Sequence, residues 1–198
     1  MDITFISTLF PNSEEPNRAV YNQSLLCALQ RLGHRVCAVA PVLWFPGEKF
    51  IRPRSFPPAK ERQGEMNVFH PRLFYTPGIF IRWHYLFYRW SIRRHFYSTI
   101  HKFQPDHIIL GFIYPDAVAL APLCRRSRID YSVLVLGSDF RIRTRQPRFK
   151  DLVMATLREA PLIFCPGQAL KGDISASGIE ADKIVPFNNG LDHDLFHP

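Results

Sequence analysis

Short apolar runs rich in Ile, Val and Phe recur along the chain, separated by segments with helical spacing. Ile3–Ser7, Arg35–Ala40, Met66–Pro71, His107–Leu110, Ser132–Leu136, Pro161–Cys165 and Lys183–Phe187 each read as a strand. Between the first two, Val20, Tyr21, Leu25, Ala28, Leu29 and Leu32 share one helical face, and Gly33 supplies a C-terminal cap. Strand, helix and strand form a βαβ unit whose right-handed crossover makes the two strands parallel and adjacent. Further helices are predicted from Asp116, as N-cap, through Leu123, over Phe149–Glu159, and over Gly167–Ser177 ended by Gly178. The predicted class is α/β, with a Rossmann-like, doubly wound, mostly parallel sheet. Its seven strands, one per apolar run, take the order third, second, first, fourth, fifth, sixth, seventh.

Two segments depart from this alternation. Val42–Gln63 is dense in Pro and charge and reads as a long irregular loop, with the third strand near a sheet edge. Gly78–Phe103 reads as one long helix crowded with aromatics. Arg82, Arg89 and Arg93 fall on one stripe of it, while His84, His95 and Lys102 fall on another. No acid occurs between Glu65 and Asp106. A basic helix bearing Trp and Phe suits an anionic membrane surface, and it suits equally a crossover helix whose arginines lie over the sheet.

The chain's 198 residues are 46% hydrophobic and 21% charged, enough for one substantial core. A net charge of +8 favours acidic partners such as nucleic acid, an anionic membrane or a phosphorylated small molecule. The four cysteines are scattered with no C-x-x-C pair, so they read as buried thiols of a reducing compartment rather than metal ligands. No apolar stretch is long enough to span a bilayer, and the start does not read as a signal peptide.

Ligands of open α/β sheets sit outside the carboxyl ends of the strands. Three groups are predicted there. Asn17 and Arg18 stand where the first loop feeds a helix N-terminus, a place that favours an anion. Arg72 follows the third strand. Gly137, Ser138 and Asp139 end the fifth strand, the glycine permitting a turn and the close approach of a ligand. A G-x-G-x-x-G fingerprint is absent, which disfavours a nucleotide-dependent oxidoreductase.

The last stretch, Asn188-Asn189-Gly190-Leu191-Asp192-His193-Asp194-Leu195-Phe196-His197-Pro198, resembles the interdomain signature P-N-G-V-D-x-x-x-F-x-P of family-four GT-B glycosyltransferases. Asn189, Gly190, Asp192, Phe196 and Pro198 match, while Asn188 and Leu191 replace the usual Pro and Val. Phe10-Pro11, Pro16-Asn17-Arg18, Gly33-His34-Arg35-Val36, Ala40-Pro41, His70-Pro71-Arg72 and Gly137-Ser138-Asp139 are similar to the N-terminal domain of exopolysaccharide and teichuronic-acid type members, in their order. The resemblance implies a single Rossmann-like domain over residues 1–187 and the start of an interdomain linker over 188–198. It implies an acceptor-binding role, with the nucleotide-sugar donor and an E-x7-E motif belonging to a second domain. No two glutamates here have that spacing. Transfer would be retaining, without a cofactor or metal.

Two departures bear on chemistry. Arg18-Ala19 stands where the family has glycines near the helix start, and Leu136 stands where many members have His or Arg before Gly137. Leucine cannot donate a hydrogen bond, so no catalytic residue is assigned and enzymatic activity of this half is left open. One function class is the acceptor half of a glycosyltransferase, inactive alone and completed by a fused or separate donor-domain chain. Its expected partners are a glycan or lipid-linked acceptor and an anionic membrane met through Arg82, Arg89 and Arg93; nucleic acid is not expected. The other class is a non-enzymatic remnant or accessory module binding an anionic lipid or glycan intermediate. Either would be cytoplasmic, peripheral on the inner face of the membrane.

Overall fold

A computed structural model describes residues 1–46, 48, 55–76, 78 and 80–188. The strands are β1 (Asp2–Ile6), β2 (Arg35–Val39), β3 (Val42–Trp44), β4 (Lys60–Gln63), β5 (Met66–Phe69), β6 (Arg72–Phe74), β7 (His107–Leu110), β8 (Asp130–Leu134), β9 (Leu162–Pro166) and β10 (Ile184–Phe187). The helices are α1 (Val20–Arg31), α2 (His84–Phe103), α3 (Val118–Ser127), α4 (Gly137–Arg145), α5 (Pro147–Glu159) and α6 (Gln168–Ala176). The main sheet runs β10-β9-β8-β7-β1-β2-β5-β4, and β3 pairs with β6 in a two-stranded annex. All pairings are parallel except β4 with β5.

The predicted order of the seven runs is the order observed. The sheet nevertheless has eight strands, because part of the segment read as irregular is regular. Lys60–Gln63 returns antiparallel against Met66–Phe69 through Gly64, whose φ is 60°. Its Lys, Glu and Arg suit an outermost strand, where charge discourages edge pairing. Val42–Trp44 pairs with Arg72–Phe74 after both chains leave the carboxyl edge. The middle of the expected loop, at 47 and 49–54, lies outside the described residues, as do 189–198 with most of the interdomain signature.

Helices cover the two faces unequally. Ile6, Val39, Ile108, Leu110 and Val133 point to the face packed by Ile92 and Phe96 of α2, Leu120 of α3, and Val153 and Leu157 of α5. Phe5, Val36, Ala38, Val68 and Leu134 point to the other face, where Leu26 of α1 packs. Alternation along each strand thus divides one apolar run between two cores.

The helix predicted over Gly78–Phe103 begins later. Gly78 and Phe80 both have positive φ, a single tight turn spans Ile81–Trp83, and α2 starts at His84. Asp116 is not an N-cap either. Ala117 precedes α3, and the Asp116 carboxylate is used elsewhere.

Candidate functional site

The loops after β1, β7 and β8 meet at the carboxyl edge, and two buried aspartates hold them. Asp116 accepts from Ser7 Oγ (3.0 Å), Thr8 N (2.9 Å) and Thr8 Oγ1 (3.1 Å). Asp139 accepts from Ile113 N (2.9 Å) and from Phe140 N (2.7 Å). Burial raises the Asp116 carboxyl to about 6 against those donors. It raises Asp139 to about 7, with Asp116 adding a smaller push. The buried Tyr88 phenol faces Asp116, and burial and that carboxylate drive it well above its ordinary range.

Gly111 makes the junction possible. A Cβ there would stand 2.7 Å from Ser7 Cβ and closer still to the Phe5 ring, nearer than packed carbons tolerate. Gly137 differs. It opens α4 in ordinary helical geometry, and a Cβ added there would meet only Leu170, at 3.9 Å. The turn predicted at Gly137 is therefore a direct strand-to-helix passage, and its small size leaves space above the strand end.

The N-termini of α1 and α4 are among those that face this edge. Neither α1 nor α4 has a side-chain cap from its N-cap residue, Ala19 or Leu136. First-turn N–H groups of such helices favour an anion. Arg18 lines a small pocket with Thr8, Asn12, Ala40 and Pro41, and its Nη1 donates to Glu15 Oε2 at 2.6 Å. Tyr21, one turn on, is 39% exposed and lies within the fields of both Asp139 and Arg18. Burial first, then Asp139, raises its phenol.

The predicted residues therefore separate. Arg18, Gly137, Ser138 and Asp139 gather at the carboxyl edge, with Ser138 exposed and Asp139 buried. Asn17 is exposed and is not among the residues lining the Arg18 pocket. Arg72 opens β6 of the annex, its guanidinium 4.9 Å from the Phe56 ring centre. Leu136 packs against the core instead of reaching the edge. Two residues before Arg72, the buried His70 donates Nδ1–H to Ala40 O (3.1 Å) and sets Nε2 3.4 Å from Glu61 Oε2. Glu61 also accepts from Ser13 N and Oγ, tying β4 to the first loop.

The membrane stripe divides as well. Arg89 turns inward and donates to Ala119 O (2.8 Å) and Val118 O (3.1 Å) of α3. Arg82 and Arg93 are exposed. No group of three or more metal-ligating side chains occurs among the described residues, and none of the described helices is long and apolar enough to cross a membrane.

Residues 19–190 match the glycosyl transferase 4-like domain family. This chain belongs to that family. No curated protein matches it. Among solved structures it is similar to sucrose-phosphate synthase from Thermosynechococcus elongatus, at 13% identity and TM-score 0.69, covering 100% of this chain and 50% of that one. It is also similar to UDP-GlcNAc 2-epimerase from Methanocaldococcus jannaschii, at 14% and 0.58, covering 96% and 46%. A third is Phytolacca americana UGT2 complexed with UDP-2fluoro-glucose and pterostilbene, at 12% and 0.59, covering 98% and 55%. The chain thus spans about half the length of these proteins. At such identities the likeness shows a shared GT-B, Rossmann-like fold.

For a glycosyl transferase 4-like domain, two features of the edge escape the sequence. Tyr21 looks like one more apolar position of α1, and Arg18 lies before that helix, so no helical spacing joins the two. Asp116 looks like a cap because it precedes a helix. Only the tertiary fold brings Ser7 and Thr8, more than a hundred residues earlier, to its carboxylate.

Proposed function

We propose that this domain is the acceptor-binding half of a retaining glycosyltransferase, which moves a sugar from a nucleotide-sugar donor to a glycan or lipid-linked acceptor. The carrying observation is the carboxyl edge itself. The N-terminus of α1, which no side chain caps, stands beside Arg18 and carries Tyr21, while that of α4 already holds the Asp139 carboxylate, on loops pinned by Asp116 and Asp139. Such an edge offers donors for hydroxyl or phosphate oxygens and a rigid floor. Its two pinning aspartates are buried and so do not stand at the surface as catalytic carboxylates. The donor and the chemistry fall to a second domain, fused or separate. Turnover with nucleotide sugars and lipid-linked acceptors is expected only when a donor domain is present. Stoichiometric transfer by residues 1–198 alone overturns the reading.

The outer face of α2 supports work at the inner surface of an anionic membrane. Phe80 stacks on Trp83 with ring centres 5.7 Å apart, and Leu86 and Trp90 continue the exposed line. Trp90 is 75% exposed. Arg82 and Arg93 flank these rings, so they, and not Arg89, form the contact. Basic side chains near such a surface contribute about 1 kcal/mol each. Vesicles containing phosphatidylserine should co-sediment the protein at low salt and lose it when Arg82 and Arg93 become Gln. Unchanged binding refutes this face. Vesicle binding without turnover in the presence of a donor domain would favour the accessory-module reading.

A further inference from the structure

A second surface carries an inference about the ligand. Apart from Glu48, no described residue of the crossover from β2 to β5 is helical, and α2 passes over β1 and β2. A helix about 10 Å wide covers roughly two strands spaced about 4.8 Å apart. On the same-side face of β5 and β4, among the described residues, Asn67 is exposed and Phe69 only half-buried. Between it and α2 lie two cavities of about 450 and 370 Å³. They share Ala59 and His95, and so form one groove. Its far end includes Val42, which also lines the Arg18 pocket.

The lining sorts by chemistry. Val39, Phe69, Phe103, Phe56 and Pro57 supply apolar surface. Asn67, Ser98 and Thr99 supply amide and hydroxyl groups. Lys60, Lys102 and Arg72 supply positive charge, and no carboxylate lines either cavity among the described residues. Burial and Arg94 hold the His95 imidazole below its ordinary range, so it serves as a neutral polar group near pH 7. Lys60 already lies over the Phe69 ring, 5.7 Å from its centre, which brings one cation directly to the apolar floor. An apolar trough edged by cations alone complements one ligand class: a chain that needs shelter joined to an anion that needs donors.

We propose that the groove between α2 and the β2-β5-β4 end of the sheet binds a single-chain lipid phosphate. The alkyl or isoprenyl chain lies along Val39, Phe69 and Phe103, and the phosphate meets Lys60, Lys102 and the Ser98 and Thr99 hydroxyls. This deepens the acceptor-side reading, since the groove runs toward the Arg18 pocket, but binding itself is measured without any transfer reaction.

The probe is dodecyl phosphate, titrated calorimetrically into the full chain below its micelle concentration. Saturable binding is expected. Dodecyl maltoside should bind far more weakly, as should inorganic phosphate alone. Lys60→Gln with Lys102→Gln should weaken the complex about tenfold or more, as expected when two cations leave an anion. Ser98→Trp, an addition at an exposed helical position, should fill the groove and abolish binding while circular dichroism and Tm stay unchanged. Trp83→Ser with Trp90→Ser should leave it intact, since those rings face outward. Absent saturation, equal affinity for the maltoside, or indifference to both groove variants overturns the proposal. Equal affinity for inorganic phosphate overturns it in favour of a free-anion site. Binding that survives in an assembly incapable of transfer would preserve the groove and remove the glycosyltransferase reading; lost binding with active transfer would do the reverse.

Discussion

The two ends of the sheet are built differently. From β7 to β10, each crossover contains a helix, and α3, α5 and α6 bring Leu120, Val153, Leu157 and Ile174 onto one continuous core. From β2 to β4, the described residues form a short annex and an antiparallel return, with Asn67 exposed and Phe69 half-buried on one face. A parallel strand bonds on both edges and buries both faces only if the crossovers supply cover. Where cover is missing the surface becomes available for ligand, and the surrounding loops carry the variable chemistry. One end supplies a continuous core, and the other carries the groove proposed to hold a ligand.

Truncating one aromatic ring at each end should measure that contrast. Phe149 is fully buried, 4.6 Å from Tyr114 by ring centres, with Arg143 over its face. Phe149→Ala should cost about 3–5 kcal/mol in denaturant unfolding. Phe69→Ala, at the half-open end, should cost about 1 kcal/mol, because part of that ring already contacts water. Equal losses would mean that the open end is as tightly packed as the covered one.

Between the two ends, the pinned edge should impose a pH dependence. The folded carboxyls of Asp116 and Asp139 stand at about 6 and about 7, above the ordinary 3.8. The folded chain therefore holds these protons more tightly than the unfolded chain. Their contribution is fully present below about pH 4 and is lost as pH rises through 6 and 7. Together the two carboxyls should lose at most on the order of 7 kcal/mol between about pH 4 and pH 7. Asp139→Asn should flatten the profile and remove one acceptor from Ile113 N or Phe140 N. A stability curve that rises between pH 5 and 8 would contradict the assignment.

A smaller effect separates the two glycines of the edge. Gly111→Ala drives a methyl into Phe5 and Ser7 and should cost about 1–3 kcal/mol. Gly137→Ala has room and gains helix propensity, so thermal melting should move little. Any loss of ligand affinity in Gly137→Ala without loss of stability would place the ligand directly above that strand end.

The covered end is also the legible one. Runs such as His107–Leu110 and Pro161–Cys165 are apolar, evenly spaced and separated by helical periodicity, so pattern alone orders them. Val42–Trp44 and Lys60–Gln63 carry no such signal. Their pairing depends on partners, Arg72–Phe74 and Met66–Phe69, that share no local pattern with them. At the site, Arg18 and the Gly137–Asp139 stretch are readable because strand ends are. The groove is not, because it depends on how far α2 reaches across the sheet, which no local spacing encodes. Arg89 escapes for the same kind of reason: helical spacing defines a stripe but not which way that stripe faces.

Arg89 carries the smallest expected effect, and its cause lies in α3. Pro122 stands inside that helix and has no N–H, so the Val118 carbonyl loses its ordinary donor four residues on. Arg89 supplies the replacement through Nη2, and Nε bonds the neighbouring Ala119 carbonyl. Arg89→Gln should therefore cost about 1–2 kcal/mol, the range for stranding a part-buried acceptor. Arg93→Gln, on the exposed side of α2, should stay within about 0.5 kcal/mol. Pro122→Ala restores a backbone donor to Val118, so the penalty of Arg89→Gln should shrink in that background. A double-mutant cycle reads this as a favourable coupling between Arg89 and Pro122 of about 0.5 kcal/mol or more. Strict additivity would mean that the guanidinium contributes through its Ala119 bond and its packing on Tyr85, 5.8 Å from that ring centre, and not by replacing the donor that Pro122 lacks.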